Sequence, residues 1–261
     1  MAPFQFPTAL KDFGYQFNSR GQLRSLDTGK TRSRAGTLAH RTPNALTSDG
    51  PLLLLIPGVN VSIGQWARSI IINDNINDGA IYSYLTEAKD RGYEVIVLNP
   101  NENGKGRKPI RGEIISDESS SGSLSGLIIS KQKILVHSSM RNTFGKTLFV
   151  AKNISIVAHS YGGVSTLHLL KRFDREFRDR VKGIALTDAV HNASGLDKEQ
   201  RAWLKGVAVN WITSDEPLDS PLEWSSVSDG CPCVSAGHTK HEYTTVTAKD
   251  SVFRHLDRLS A

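Results

Sequence analysis

From Pro51 onward the chain alternates short continuous apolar runs with stretches of helical spacing. The runs Leu52–Ile56, Val95–Leu98, Ile154–Ala158, Ile184–Leu186 and Val207–Ile212 have the length of strands buried on both faces. Between them, Gln65–Asn73, Ile81–Arg91, Gly163–Phe173 and Asp197–Lys205 carry apolar residues at helical intervals. This alternation predicts an α/β fold: a mostly parallel sheet with helices on both faces.

The N-terminal part follows a different period. Residues 13–26, FGYQFNSRGQLRSL, alternate apolar and polar positions around Asn18-Ser19-Arg20-Gly21, the pattern of an N-terminal β-hairpin with a glycine-containing turn. Residues 27–50 are rich in Thr, Arg, Ser and Gly and read as a linking loop. Residues 101–136 are rich in Ser, Gly and charge, so they read as a flexible insertion, with a lid built around Leu127, Ile128 and Ile129 as the alternative. No internal repeat is visible, and residues 1–261 are expected to form a single domain.

Composition narrows the classes. With 38% hydrophobic and 22% charged residues, the chain has the make-up of a soluble globular protein. Its longest apolar run, Leu52–Ile56, is far too short to span a bilayer, and MAPFQFPTAL lacks the basic start and apolar core of a secretory signal. No membrane association is expected. Cys231 and Cys233 flank Pro232, too close for a comfortable disulfide and without partners for a zinc site, so they read as reduced intracellular thiols. No metal or organic cofactor is expected.

The net charge of +6 is concentrated in two segments, Arg20 to Arg41 and Lys105 to Arg111. Neither interleaves aromatic residues with its arginines, so solvated loop charge is expected here rather than direct nucleic-acid binding.

The chemistry centres on VAHSYGG, residues 157–163. An apolar run delivers the chain to Ser160, and Val164, Leu167, Leu169 and Leu170 suggest a helix immediately after it. That is the order of a nucleophile elbow, in which a sharp turn lifts a serine oxygen to the sheet edge between small neighbours. Ala158 stands where glycine is usual, and Gly162 supplies the second small position.

A serine hydroxyl needs a base, normally oriented by a carboxylate. His241 is the expected base, with His238 competing for the role, while His159 is expected to pack or to serve the oxyanion loop. Asp215, three residues beyond Ile212, is the first choice of acid; Asp188, Glu216 and Asp219 remain open. The oxyanion hole would combine the N–H of Tyr161 with one from the loop containing Gly58 and Val59.

Taken together, FPTALKDFGYQFNSRGQLRSLDTGK, GQWARSIIIND, GYEVIVLNPNEN, VAHSYGG, ALTDAVHN, SDEPLD and VSAGHTKHE, running in order from residue 6 to residue 242, resemble the Argonaute-binding-protein-two domain family, in its animal cotranscriptional-regulator branch. The resemblance implies an α/β-hydrolase-like fold used in gene regulation. Its partners would be Argonaute, chromatin or splicing proteins, with roles in small-RNA-directed silencing, heterochromatin and alternative splicing. It also implies that Ser160 falls on the family's proposed nucleophile, His241 on its late histidine and Asp188 on the aspartate of its LTD block. The segment between Asn103 and Ile154 is shorter than the resemblance implies, and its serine-rich sequence carries no basic localisation signal.

Two functions fit these features: a hydrolase-like regulatory scaffold, expected in nucleus and cytoplasm, or an active intracellular serine hydrolase acting on a small acyl substrate.

Overall fold

A computed structural model describes residues 15–17, 23–25, 39–98, 100–101, 150–222 and 228–260. The expected insertion at 101–136, apart from Asn101, and the basic segment Lys105 to Arg111 therefore lie outside the described residues, as does most of the segment Arg20 to Arg41.

The N-terminal hairpin consists of β1 (Tyr15–Phe17) and β2 (Leu23–Ser25), paired antiparallel with Tyr15 opposite Ser25. The main sheet has seven strands: β3 (Ala39–Arg41), β4 (Leu52–Ile56), β5 (Glu94–Leu98), β6 (Ile154–His159), β7 (Val181–Thr187), β8 (Ala208–Ile212) and β9 (Cys233–Ser235). Their order is β3-β5-β4-β6-β7-β8-β9, and every neighbouring pair is parallel except β3 with β5.

Two edge strands were not visible in the hydrophobic pattern. β3 lies inside the segment read as a linking loop, because three residues, Ala-His-Arg, carry no apolar run. β9 is Cys-Val-Ser, equally short, and pairs with β8 at the sheet's far edge.

Among the described residues, six helices and helical turns of more than three residues precede the C-terminal helix. They are α1 (Arg68–Asn73), α2 (Ile76–Gly79), α3 (Tyr82–Asp90), α4 (Tyr161–Arg180), α5 (Lys198–Val207) and α6 (Thr244–Thr247); the C-terminal α7 (Lys249–Ser260) completes the set. The expected helix ending at Phe173 instead bends there, at φ −119° and ψ 24°, and continues to Arg180. The start of α5 has a local cause. Asp197 accepts from the Gln200 N–H at 2.8 Å while the Gln200 side chain accepts from the Asp197 N–H, a capping box.

The sheet is buried on both sides because successive strand residues point to opposite faces. Leu52, Leu54, Ile56, Ile154, Ile156, Ile184 and Leu186 pack with Leu167, Leu170 and Phe177 of α4 and Leu204 of α5. Leu53, Leu55, Val95, Val97, Val157 and Ala185 pack with Tyr84, Leu85 and Ala88 of α3 and Val252, Phe253 and Leu256 of α7. All five residues of β4 are fully buried, as expected for a central parallel strand. Each such leucine contributes about 1.5–3 kcal/mol relative to exposure.

The topology fixes where a ligand would sit. From β4 the chain moves outward to β5, then crosses back to β6 on the other side of β4. The carboxyl ends of β4 and β6 therefore diverge at a topological switch point, the crevice where open α/β sheets bind ligands.

Candidate active site

Ser160 occupies that crevice. It follows β6 directly and precedes α4, with φ 55° and ψ −122°, a backbone conformation that a residue with a Cβ rarely adopts. Three backbone bonds hold the strained turn. Ser160 N–H donates to the Thr187 carbonyl at 3.1 Å, and the Ser160 carbonyl accepts from Gly163 at 3.1 Å and Val190 at 3.3 Å.

Its small neighbours are required by contact. A Cβ on Gly162 would collide with the Ile56 carbonyl oxygen, and one on Gly163 would stand 2.5 Å from the Ala189 methyl carbon. Ala158 is fully buried, its methyl group accommodated among Ile56, Ile156 and Leu186 in the core beneath α4.

The loop after β4 touches the serine. A Cβ built on Gly58 would come within 2.9 Å of Ser160 Cβ and 3.3 Å of Ser160 Oγ. Gly58 thus permits a close approach that any larger residue would block. Among the described residues, the N–H groups of Gly58, Val59 and Tyr161 donate to no acceptor. The Tyr161 N–H is also one of the open donors at the N-terminus of α4.

The carboxylate that meets His241 is Asp188, not Asp215. His241 Nδ1–H donates to Asp188 Oδ2 at 2.6 Å. Asp188 stands at the end of β7, the immediate neighbour of β6, and its φ of 46° turns the chain sharply there. Its N–H donates to the Trp211 carbonyl at 2.7 Å, and Oδ1 accepts from the Thr213 N–H at 3.1 Å. His241 opens a short 3₁₀ turn, His241–Tyr243, ahead of α6.

The other three carboxylates do different things. Asp215 is exposed in the loop beyond β8 and forms no hydrogen bond among the described residues, because three residues past the strand the chain has already left the sheet edge. Glu216 is also exposed, and only its backbone is engaged: its N–H donates to Ser214 Oγ at 3.0 Å and its carbonyl accepts from Ser235 Oγ at 2.7 Å. Asp219 ties this loop to the C-terminal helix, accepting from Trp211 Nε1 at 2.8 Å, Ser251 Oγ at 2.6 Å and Arg254 at 3.1 Å.

Of the other histidines, His238 stacks on Tyr243 with ring centroids 4.6 Å apart and accepts from the Lys240 N–H at 3.0 Å, and among the described residues it forms no hydrogen bond with Asp188. His159 is buried. Its Nδ1–H donates to the Thr187 carbonyl at 2.8 Å, and its ring lies 4.5 Å from that of His241.

The electrostatics suit a base. The hydrogen bond to Asp188 raises the His241 pKa above its usual value, outweighing the opposing effect of partial burial. Burial pushes Asp188 upward, but the hydrogen bonds from His241 and Thr213 and the neighbouring imidazole charge bring it below the ordinary carboxylate value. Burial, reinforced by repulsion from His241, lowers His159 to about 4. His159 is therefore a neutral ring against which His241 can carry a proton. No Ser160–His241 hydrogen bond is formed among the described residues; such contacts commonly tighten only when substrate is bound.

The sequence pattern passed over Asn101, Thr213 and Asn210. Asn210 holds the residue after Asp188: it accepts from the Ala189 N–H at 3.2 Å and donates to the Ala189 carbonyl at 3.3 Å and to Asp229 at 2.8 Å. Their only sequence signal was position: Asn101 and Thr213 lie past the carboxyl ends of β5 and β8, and Asn210 is a polar residue in the middle of the apolar run of β8. Among the described residues, no cluster of three or more His, Cys, Asp or Glu side chains could hold a metal ion, and no helix is long and apolar enough to cross a membrane.

A mostly parallel sheet with a serine at a strained elbow beside its topological switch makes this an α/β-hydrolase-like domain. That class is broad, and sequence narrows it. The Arb2 domain model matches residues 37–218, and the chain belongs to that family. It is 28% identical to the cotranscriptional regulator ARB2A homolog of Gallus gallus over 97% of this chain and 80% of that protein. It is 31% identical to the corresponding homolog of Dictyostelium discoideum, over 95% of this chain and 79% of that one. Among solved structures, a histone deacetylase from Saccharomyces cerevisiae superposes with a TM-score of 0.53 at 11% identity, covering 95% of this chain and 91% of that chain. At that identity the likeness concerns the fold alone.

Proposed function

We propose that this protein is a hydrolase-like regulator of gene expression whose Arb2 domain retains a working serine-hydrolase site. Ser160 is the nucleophile, His241 the base and Asp188 the acid that orients it. The observation that carries the proposal is the 2.6 Å His241–Asp188 hydrogen bond beside a serine held at φ 55°.

The chemistry follows from the geometry. Asp188 fixes the His241 proton on Nδ1, leaving Nε2 as the base. Ser160 Oγ attacks an acyl carbon as its proton passes to Nε2, and the resulting oxyanion is met by the unengaged N–H groups of Tyr161 and of Gly58 or Val59. The leaving group departs with the proton from His241, and water, activated by the same nitrogen, then cleaves the acyl-serine ester.

The relatives' description as cotranscriptional regulators supports nuclear protein or chromatin partners for this chain. Argonaute and splicing or heterochromatin proteins are the finer proposal, with residence in both nucleus and cytoplasm.

The test is labelling of the purified protein with a fluorophosphonate probe. Labelling of the native chain and not of Ser160→Ala or His241→Ala is the expected result. A folded native chain that takes up no probe would remove the catalytic half of the proposal and leave the scaffold.

A further inference from the structure

The loop after β4 belongs to no helix or strand, yet its free N–H groups are useful to the site only if their direction is fixed. Asn60 within it has φ 61°, so the loop also carries a conformation that must be held by other contacts. One side chain supplies them. Asn101, just beyond β5, donates from Nδ2 to the Gly58 carbonyl at 2.8 Å and to the Val61 carbonyl at 2.9 Å, while its Oδ1 accepts from the Asn60 N–H at 3.3 Å.

The Gly58 carbonyl and the Val59 N–H belong to one planar trans peptide, so they point in opposite directions. Holding the carbonyl on the Asn101 side turns the Val59 N–H to the other side. Gly58 itself lies against Ser160, a Cβ there standing 3.3 Å from Ser160 Oγ, so the peptide that Asn101 holds borders the serine.

We infer that Asn101 is a positioning residue that aims the Val59 N–H at the oxyanion formed on attack by Ser160. The inference rests on the proposed serine-hydrolase site. It assigns to the chain just past β5 a part in setting the reactivity of a serine two strands away, without touching the substrate.

The experiment compares the native full chain with Asn101→Ala and with Asn101→Asp. The aspartate keeps the acceptor for Asn60 but sets a carboxylate oxygen against two carbonyls. The probes are p-nitrophenyl acetate and a fluorophosphonate, and folding is checked by circular dichroism. A misaimed donor lowers kcat and the phosphonate labelling rate roughly 10- to 100-fold while KM changes by less than about twofold. The pH midpoint stays where it is, since the His241–Asp188 pair is untouched.

A rate within about twofold of native in the folded variants overturns the inference and leaves the Ser160 site standing. A loss carried mainly by KM, or by a shifted midpoint, also overturns it, because a general loosening of the crevice would act that way. Absence of labelling in the native chain overturns both.

Discussion

Replacing Asp188 with asparagine separates the orienting role of the carboxylate from its role in the fold. Asparagine tolerates the left-handed φ of 46° at this position, so the turn at the end of β7 survives. The Thr213 N–H at 3.1 Å from Oδ1 is a donor and requires an acceptor. The substituted amide must therefore keep its oxygen toward Thr213 and point its NH₂ at His241. An NH₂ only donates, so Nδ1 becomes the acceptor and the imidazole proton moves to Nε2, the nitrogen needed as base. Loss of the correct tautomer in a serine–histidine–aspartate system costs about 10⁴-fold in turnover.

The pH dependence has a definite sign. The His241 pKa is raised in the folded protein by Asp188, so the neutral base accumulates only as pH climbs through a value above about 6.5. In the variant the midpoint falls. Pairing stabilises the fold fully below the unfolded histidine pKa and is lost as pH rises through the folded value. Asp188, held low, adds stability above the unfolded carboxylate pKa that is lost as pH falls through its folded value. The assay is the second-order rate of fluorophosphonate labelling from pH 5 to 9, alongside ¹⁵N chemical shifts of the His241 ring. Labelling of the asparagine variant within about threefold of native at pH 8, or a ring proton still on Nδ1, would refute the reasoning.

Four further outcomes are expected. Asp215→Ala and Glu216→Ala leave labelling within about twofold of native, because neither carboxylate contacts His241; a loss of 100-fold in either would return the acid role to that loop. Asp219→Ala costs about 1–3 kcal/mol by leaving the Trp211 N–H and Ser251 hydroxyl without their acceptor, read by urea unfolding, with hydrogen exchange rising in α7. Gly162→Ala forces a methyl group against the Ile56 carbonyl and costs about 1–3 kcal/mol; unchanged stability would show that the elbow has slack. Ser160→Gly relieves about 1–3 kcal/mol of strain against 0.5–1 for glycine's greater chain entropy, leaving it about 0–2.5 kcal/mol more stable than Ser160→Ala; an alanine variant clearly the more stable would remove the strain.

The central strands and the elbow were legible because burial on both faces writes an unbroken apolar run, as in LLLLI, and because VAHSYGG combines strand, turn and small residues in seven positions. The edges were not. β3 and β9 have too few residues to register a period, and α7 passed unnoticed although Val252, Phe253 and Leu256 carry helical spacing. The acid was harder for a different reason. Ser160 and His241 sit in local patterns, but the choice among Asp188, Asp215, Glu216 and Asp219 depends on which strand neighbours β6, a long-range fact that no local spacing encodes. The family resemblance pointed to Asp188 through its LTD block, whereas spacing from the last strand favoured Asp215. Strand order explains why the former meets His241.

The four non-glycine residues with positive φ among those described are Asn60, Ser160, Asp188 and Asp219. The first three follow β4, β6 and β7, adjacent strands in the sheet, at the same carboxyl edge. Each such conformation costs on the order of 1 kcal/mol or more, set against a total stability of about 5–15 kcal/mol. A fold needing only a turn at these points would be served as well by glycine, which adopts positive φ without strain. A side chain is useful at such a turn where its atoms must project over the sheet edge: the hydroxyl of Ser160 into the crevice, the carboxylate of Asp188 toward His241. Asn60 differs, since it is the backbone N–H that bonds Asn101, so its side chain has no such explanation in these contacts. The strain at Ser160 and Asp188 thus favours a chemical role over an architectural one at those two positions. Asn60 belongs to the separate question of how the oxyanion loop is held.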